Sequence, residues 1–448
     1  MKSAVAAGHP ATVDAGIEIL ERGGNAADAA VGAALASCVA ETVMTGLLGG
    51  GHAIVLRDGK ARTLDFFVAV PGLGADPREL ELEHLQVPFG IEQVHYAIGI
   101  CSCGVPGVVA GLGELWRSDG SLPWSALIEP ALELARTGVR LPAAHAACLA
   151  MLAPVMTMRE GGRIYSPAGR LLETDDRLEQ PGLVAALEAL ADEGPDGSAI
   201  PEALLDLMGE RNGLVTRADL DAYEPVWGEP GRVEFATVEV LTRIGLNSPL
   251  PVLARLERTD PVSLALALRG ADAGGDTTNI AVVDADGMAV VLTTSLGLGS
   301  GDWLPGLDLH LNSMLGEADL LIGDLVPGQR VASMMAPTLV LDQDGLALAV
   351  GAAGGTRLRS ALVQVVAGVL DEGLSAREAV ERPRLHPVAD LVHLEPGFPD
   401  GVPGSLEAAG FTVRPWSSQH HYFGGVSAVS RLDAAGDPRR SGSARHPR

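Results

Sequence analysis

The sequence is poor in basic, aromatic and cysteine residues. It has 32 Lys and Arg against 57 Asp and Glu, so the formal net charge is −25 at pH 7. Nucleic acids and anionic membranes bind through clusters of positive charge, which such an acidic surface does not offer. The local basic clusters, Arg439-Arg440 and residues 445–448, are interpreted as a solvated terminus. We therefore expect no nucleic acid and no membrane among the partners.

The four cysteines do not have the spacing of a metal site. Cys101 and Cys103 lie close together, but no second pair completes a zinc site, and Cys38 and Cys148 stand alone. Free cysteines of this kind pack as small apolar residues. We expect four buried thiols, and neither a metal nor an organic cofactor.

Long apolar runs are missing as well. No run approaches the roughly 20 residues that cross a bilayer. Residues 1–16 lead straight into a helix and lack the apolar segment and cleavage site of a secretory signal. These features predict a cytoplasmic protein, and 448 residues suffice for one large domain or two to three packed ones.

One stretch in the second half of the chain contains a candidate catalytic residue. Residues 278–283 and 288–294 are rich in β-formers and flank a tight turn at 284–287, which predicts a hairpin. Thr277 precedes its first strand. Cutting the Asp276–Thr277 bond would free an α-amine with a pKa of about 7.7–8.0, close to that of an ideal general base. One cleavage would thus create a nucleophile and its base, although a Thr-Thr pair can also reflect ordinary β-propensity.

The remaining pattern predicts a mixed α/β (α+β) fold. Pairs of strands are flanked by helices near both ends of the chain, which is typical of a four-layer sandwich with helices outside two packed sheets. A long helical region lies between them. The predicted helices cover residues 10–22, 25–40 and 356–370, the helical region 105–208, and the predicted strands 52–57, 61–67, 232–241, 337–341 and 346–350.

Short motifs occur in a fixed order along most of the chain: Gly23-Gly24-Asn25-Ala26-Ala27-Asp28, Gly49-Gly50-Gly51, Val105-Pro106-Gly107, Thr277-Thr278, Gly354-Gly355-Thr356-Arg357 and Arg382-Pro383-Arg384-Leu385-His386. In this order and spacing the chain resembles the γ-glutamyltransferases, which are self-processing N-terminal nucleophile (Ntn) hydrolases. The resemblance implies the αββα sandwich of that class, with added helices from the large subunit. It also implies autoproteolysis between Asp276 and Thr277 into a large subunit, 1–276, and a small subunit, 277–448, that stay together.

The resemblance further implies an acyl-enzyme mechanism. Thr277 would attack a carbonyl, and water or an amine would resolve the acyl-enzyme. Gly354 and Gly355 would offer backbone N–H groups to the oxyanion, and Ser295 stands where the family has a threonine that hydrogen-bonds the nucleophile. Gly354-Gly355 could instead be a plain strand-to-helix turn.

The positions that hold the substrate in the family have changed. The family binds the glutamyl α-carboxylate with an arginine and two adjacent serines, and the α-amine with an asparagine, a glutamine or glutamate, and an aspartate. Losing the arginine removes a bidentate, charge-assisted contact. The residues of this chain at the six positions are Phe67, Ser333, Met334, Gly297, Met314 and Glu317.

Three hypotheses follow for the function. The first is a threonine hydrolase that acts on a small metabolite with an acyl group other than γ-glutamyl. It resembles members that hydrolyse a C–C bond in 4-alkylproline pathways of antibiotic biosynthesis. The second is a conventional γ-glutamyl hydrolase or transferase in which Arg62 or Arg357 replaces the lost arginine. The third is an unprocessed, non-catalytic homologue. The expected partners are a small-molecule substrate, the two fragments of one chain and, as an open alternative, further copies of the processed unit.

Overall fold

Two antiparallel β-sheets lie face to face in the computed structural model, which describes residues 2–75, 80–89, 92–246, 248–270, 277–355 and 357–448. One sheet has seven strands in the order β22-β1-β11-β12-β2-β3-β8, and the other has six in the order β21-β20-β16-β15-β10-β9. The strands are β1 (Ala4–Ala7), β2 (Gly50–Arg57), β3 (Lys60–Phe66), β4 (Glu83–Phe89), β5 (Glu92–Ile98), β6 (Val139–Arg140), β7 (Arg177–Leu178), β8 (Val226–Gly228), β9 (Gly231–Phe235), β10 (Val238–Thr242), β11 (Thr278–Val283), β12 (Ala289–Ser295), β13 (Trp303–Leu304), β14 (Leu309–His310), β15 (Thr338–Asp342), β16 (Gly345–Ala353), β17 (Leu385–Val388), β18 (Leu391–Leu394), β19 (Thr412–Pro415), β20 (Gly425–Ser430), β21 (Ala434–Gly436) and β22 (Ser443–Arg445).

Helices cover the outer faces of both sheets. Helices α1 and α2 pack against the seven-stranded sheet, and α12 and α13 pack against the six-stranded sheet. The helices are α1 (Pro10–Glu21), α2 (Ala26–Ala40), α3 (Val108–Asp119), α4 (Trp124–Thr137), α5 (Ala143–Met156), α6 (Gly161–Tyr165), α7 (Pro181–Glu193), α8 (Ala199–Arg211), α9 (Arg217–Ala222), α10 (Leu250–Leu253), α11 (Pro261–Leu268), α12 (Arg357–Leu370), α13 (Ala376–Glu381) and α14 (Gly401–Ala408). The predicted four-layer sandwich is therefore confirmed.

Strand β11 shows how the layers are held together. Its side chains alternate between faces, so Ile280 and Val282 join the core under α1 and α2, while Ala281 and Val283 join the core between the sheets. All six residues of the strand are buried. The predicted hairpin is confirmed, because β11 pairs with β12 from Thr278 opposite Thr294 onwards.

Two predictions about local structure were wrong. Residues 232–241 were expected to form one strand, but they form parts of β9 and β10, which turn at Ala236 and Thr237. These two residues have φ angles of 49° and 68°, a conformation that normally favours glycine or asparagine, so the sequence carried no turn signal. Arg439 and Arg440 were expected in a solvated terminus, but both are buried.

Within the described part of the chain, we find no helix long and apolar enough to span a membrane.

Two arginines are buried with carboxylate partners near the C-terminus. Arg439 Nε donates to Glu395 Oε1 at 2.8 Å, and Arg384 Nη2 donates to Asp437 Oδ2 at 2.6 Å. Glu395 also accepts the backbone N–H groups of Arg384 at 2.9 Å and His420 at 3.1 Å. Because a buried charge without its partner is strongly destabilising, each ion pair depends on both of its members.

Replacing Glu395 by alanine should lower the free energy of unfolding by about 3–5 kcal/mol, because buried Arg439 would keep only its longer 3.2 Å contact with Asp437 Oδ1. Asp342→Ala is the matched control, since it removes an ion pair with Arg431 near the surface and should cost about 1 kcal/mol or less. Urea unfolding followed by tryptophan fluorescence measures both changes. If both variants lose the same free energy of unfolding, the buried ion pair of Arg439 is no more important for stability than the ion pair near the surface.

Candidate active site

Thr277 lies at the junction of the two sheets. It immediately precedes β11 of the seven-stranded sheet and is buried. Its Oγ1 accepts a hydrogen bond from the backbone N–H of Gly354, at the end of the six-stranded sheet, at 2.9 Å. The structure thus brings together two residues that are 77 positions apart in the sequence. The predicted cleavage partner, Asp276, lies outside the described residues.

The turn at Gly354 and Gly355 aims this N–H group. Both residues have positive φ angles, 126° and 56°, and they connect β16 to α12. A Cβ atom at Gly354 would lie 2.8 Å from the Cα of Gly424, so the position leaves no room for a side chain. The two glycines do form a strand-to-helix turn, and the same turn directs the N–H of Gly354 towards Thr277.

Ser295 ends β12, the strand beside β11. Its Oγ accepts a hydrogen bond from the N–H of Gly297 at 2.9 Å. A Cβ at Gly49 would lie 2.2 Å from the carbonyl oxygen of Ser295, which explains why the chain has glycine there. Ser295 and Thr277 line the same cavity.

This cavity, which we call the acyl cavity, contains most of the predicted substrate-binding residues. Gly297 stands behind it, because a Cβ there would lie 2.6 Å from Glu317 Oε1 and 2.7 Å from Ser313 Oγ. The structure therefore places five of the six predicted substrate positions in the lining of this cavity and the sixth, Gly297, directly behind it. The residues that line the acyl cavity are Phe67, Thr277, Ser295, Met314, Glu317, Leu320, Ser333, Met334, Met335, Gly355 and Leu358.

The acyl cavity has one acidic side chain and an otherwise uncharged wall. Glu317 is buried. Among the described residues that line the cavity, none is lysine, arginine or histidine. The two arginines considered as substitutes point elsewhere: Arg62 Nη2 binds Asp119 Oδ2 at 2.8 Å, and Arg357 Nε donates to the carbonyl of Tyr422 at 3.0 Å.

Phe67 is held in place from three sides. Asp65 Oδ1 accepts its backbone N–H at 2.9 Å, and the hydroxyl of Tyr223 donates to its carbonyl at 2.7 Å. The ring of His52 stacks on the ring of Phe67, with centroids 5.5 Å apart, and burial lowers the pKa of His52 well below its usual value, so the imidazole is neutral. Phe67 is thus a fixed apolar wall.

Several residues at the site were not selected from the sequence. Arg243 lies behind the cavity wall, where Nη1 donates to the carbonyls of Ser333 at 2.9 Å and Met335 at 3.2 Å. Asn279 joins the two sheets next to Thr277, since its Oδ1 accepts the N–H of Ser427 at 2.9 Å. Glu41 accepts a hydrogen bond from Thr278. A buried acidic or basic residue far away in the sequence gives no signal that it will reach a site.

The described residues contain no group of three or more His, Cys, Asp and Glu side chains placed to hold a metal ion. All four cysteines are free and buried, as predicted.

Comparison with known proteins identifies the family. The Gamma-glutamyltranspeptidase family profile matches residues 12–259 and 253–446. The chain belongs to the gamma-glutamyltranspeptidase family. It is therefore an enzyme of the hydrolase or transferase type, and the predicted resemblance is confirmed.

The chain is similar to proteins of two kinds, acylases and glutathione hydrolases. The Acylase ACY 1 proenzyme of Pseudomonas sp. (strain SE83) is 28% identical over 91% of this chain and 87% of its own length. The Glutathione hydrolase proenzyme of Pseudomonas aeruginosa is 26% identical over 95% of this chain and 91% of its own length. The crystal structure of cephalosporin acylase from Bacillus halodurans superimposes with a TM-score of 0.84 at 21% identity, covering 99% of this chain and 95% of that chain, which confirms the Ntn-hydrolase fold.

Proposed function

We propose that this protein is a self-processing N-terminal-threonine hydrolase. Thr277 would be its nucleophile, and its acyl substrate would lack the α-carboxylate of a γ-glutamyl group. The observation that carries the proposal is the 2.9 Å hydrogen bond from the Gly354 N–H to Thr277 Oγ1, beside the cavity that Thr277 shares with five of the predicted substrate positions.

Processing comes first in this mechanism. Hydrolysis of the Asp276–Thr277 bond would yield the fragments 1–276 and 277–448 and free the α-amine of Thr277. That amine, with an ordinary pKa of about 7.7–8.0, would take the hydroxyl proton when Oγ1 attacks a carbonyl carbon. The relatives named as proenzymes support this step.

Acyl transfer follows on the same residues. The N–H groups of Gly354 and Gly355 would stabilise the negative oxygen of the tetrahedral intermediate. When the intermediate collapses, the leaving group departs with the proton from the amine, and the acyl group stays on Thr277 as an ester. Water then attacks this ester and releases a carboxylic acid. The Ser295 hydroxyl, in the same cavity, would orient the nucleophile.

The acyl cavity favours an apolar acyl group that carries either a positive charge or no charge. A substrate carboxylate would be buried against Phe67 and Met334 without a cation and would have to face Glu317, which is costly. An ammonium group could instead pair with Glu317. The acylase name of one relative supports an amide substrate.

Four p-nitroanilide substrates separate the contributions of the substrate's carboxylate and ammonium groups. Their acyl groups are γ-glutamyl, 4-aminobutyryl, glutaryl and butyryl. We expect kcat/KM for 4-aminobutyryl to exceed that for γ-glutamyl and glutaryl by about 100-fold, because only the latter two bury a carboxylate. Glu317→Gln should remove most of the advantage of 4-aminobutyryl over butyryl.

Turnover of the γ-glutamyl compound at the highest rate would instead support the conventional γ-glutamyl hydrolase. If all four anilides are inert while a β-diketone is cleaved, C–C bond hydrolysis is the better assignment. Released p-nitroaniline is measured by absorbance, and the acylated Thr277 peptide is sought by mass spectrometry after an acid quench.

Gly354→Ala should reduce kcat by about 100-fold or more, because its Cβ would displace the N–H that faces Thr277. Gly345→Ala is the matched control. Gly345 also has a positive φ, 94°, but a Cβ there meets no atom within 4 Å. We expect the control to lose some stability and keep kcat, measured per mature small fragment. Similar kcat values in the two variants would remove Gly354 from the mechanism.

A further inference from the structure

The buried carboxyl group of Glu41 accepts a hydrogen bond from Thr278, the residue next to the proposed nucleophile. Glu41 directly follows α2, and it is 1% exposed. Its oxygens accept hydrogen bonds from threonines of two other elements. Thr12 Oγ1, in α1, donates to Oε1 at 2.6 Å, and Thr278 Oγ1, in β11, donates to Oε2. Because Thr278 is bonded to Thr277, Glu41 is tied to the backbone that carries the nucleophile.

The surroundings are shaped around this carboxyl group. A Cβ at Gly8 would lie 2.6 Å from Glu41 Oε2 and 3.1 Å from Thr278 Oγ1, so a larger residue would push the two apart. Glu41 and Thr278 also line a second cavity, and among the described lining residues Thr277 alone belongs to both this cavity and the acyl cavity. Thr277 therefore separates the substrate side from the Glu41 side.

The ionisable groups that face Glu41 come from α2, α5 and the C-terminal segment. Burial raises the pKa of Cys38, in α2, to about 12 and lowers the pKa of His145, in α5, to about 3, so both are neutral near pH 7. Arg440 and Asp437 face the second cavity from the C-terminal segment, and Asp437 is paired with Arg384. Burial also raises the pKa of Glu41 to about 7, an effect that the hydrogen bonds of Thr12 and Thr278 and the charge of Arg440 oppose.

We propose that Glu41 is a positioning residue for Thr277, which it holds through the Thr278 hydroxyl, and that its charge sets the pH range in which the Thr277 α-amine is a free base. This inference rests on the proposed function, since the amine exists only after cleavage. Cleavage removes the covalent restraint on one side of Thr277. The Glu41–Thr278 hydrogen bond then anchors the new chain end.

The pH effect has a defined sign. Ionised Glu41 attracts the ammonium form of the amine and so delays its deprotonation to higher pH. A neutral side chain of the same size does not. Removing the charge must therefore move the rising limb of the pH profile to lower pH.

Thr278→Val tests the positioning role. Valine keeps the shape and removes the hydroxyl that Glu41 holds, so we expect kcat to fall about 10-fold or more with KM within about 2-fold. Thr45→Val is the matched control. The Thr45 hydroxyl is also buried and donates to Thr294 Oγ1 at 2.8 Å, and Thr294 is the residue that pairs with Thr278 between β11 and β12. Thr45 lines neither cavity. We expect the control to keep kcat within about 2-fold.

Glu41→Gln tests the charge. The midpoint of the rising limb of kcat/KM against pH should move down by about one unit, while Thr45→Val keeps the wild-type midpoint. Thermal melting and conversion into two fragments report whether each variant folds. If Glu41→Gln does not fold, the kcat of Thr278→Val alone decides whether the inference holds.

The inference is overturned if Thr278→Val loses no more activity than Thr45→Val, or if folded Glu41→Gln keeps the wild-type midpoint. Both results require a wild-type enzyme that processes and forms an acyl-enzyme. A wild-type chain that does neither would refute the proposed function itself.

Discussion

A single hydrogen bond between the two sheets defines the site. Thr277 immediately precedes a strand of one sheet and Gly354 immediately follows a strand of the other, and the 2.9 Å contact between Oγ1 and N–H forms only if the sheets face each other in one alignment. Small residues permit that approach, since a Cβ at Gly351 would lie 3.0 Å from Val291 and 3.2 Å from the Cβ of Asn279. The sandwich thus acts as the frame that aligns a hydroxyl with a donor.

The proposed chemistry and the proposed selectivity use different parts of this frame. The hydroxyl, the glycine turn and Ser295 come from strand ends, whereas the acyl cavity takes its wall from loops and the short segment around Met314 and Glu317. In this chain the described wall is uncharged apart from Glu317, so under the proposed function its preference would follow from the cost of burying an unpaired charge.

Local signals explain how much could be predicted from the sequence. The β11–β12 hairpin and the Gly354-Gly355 turn follow from β-forming residues around a tight turn and from a glycine pair, and both appear in the structure. The turn at Ala236 and Thr237 lacks such a pattern and was missed. Glu41 and Arg243 were missed for another reason: their roles depend on contacts with residues 237 and 90 positions away, at Thr278 and Ser333, which no local rule encodes.

The proposed chemistry requires that the chain breaks in front of Thr277. N-terminal sequencing of the purified, active protein tests this requirement most directly. We expect two fragments that remain associated, the smaller one beginning Thr-Thr-Asn-Ile. An intact chain that is nonetheless fully active, or a new N-terminus at any other residue, would contradict the proposed mechanism.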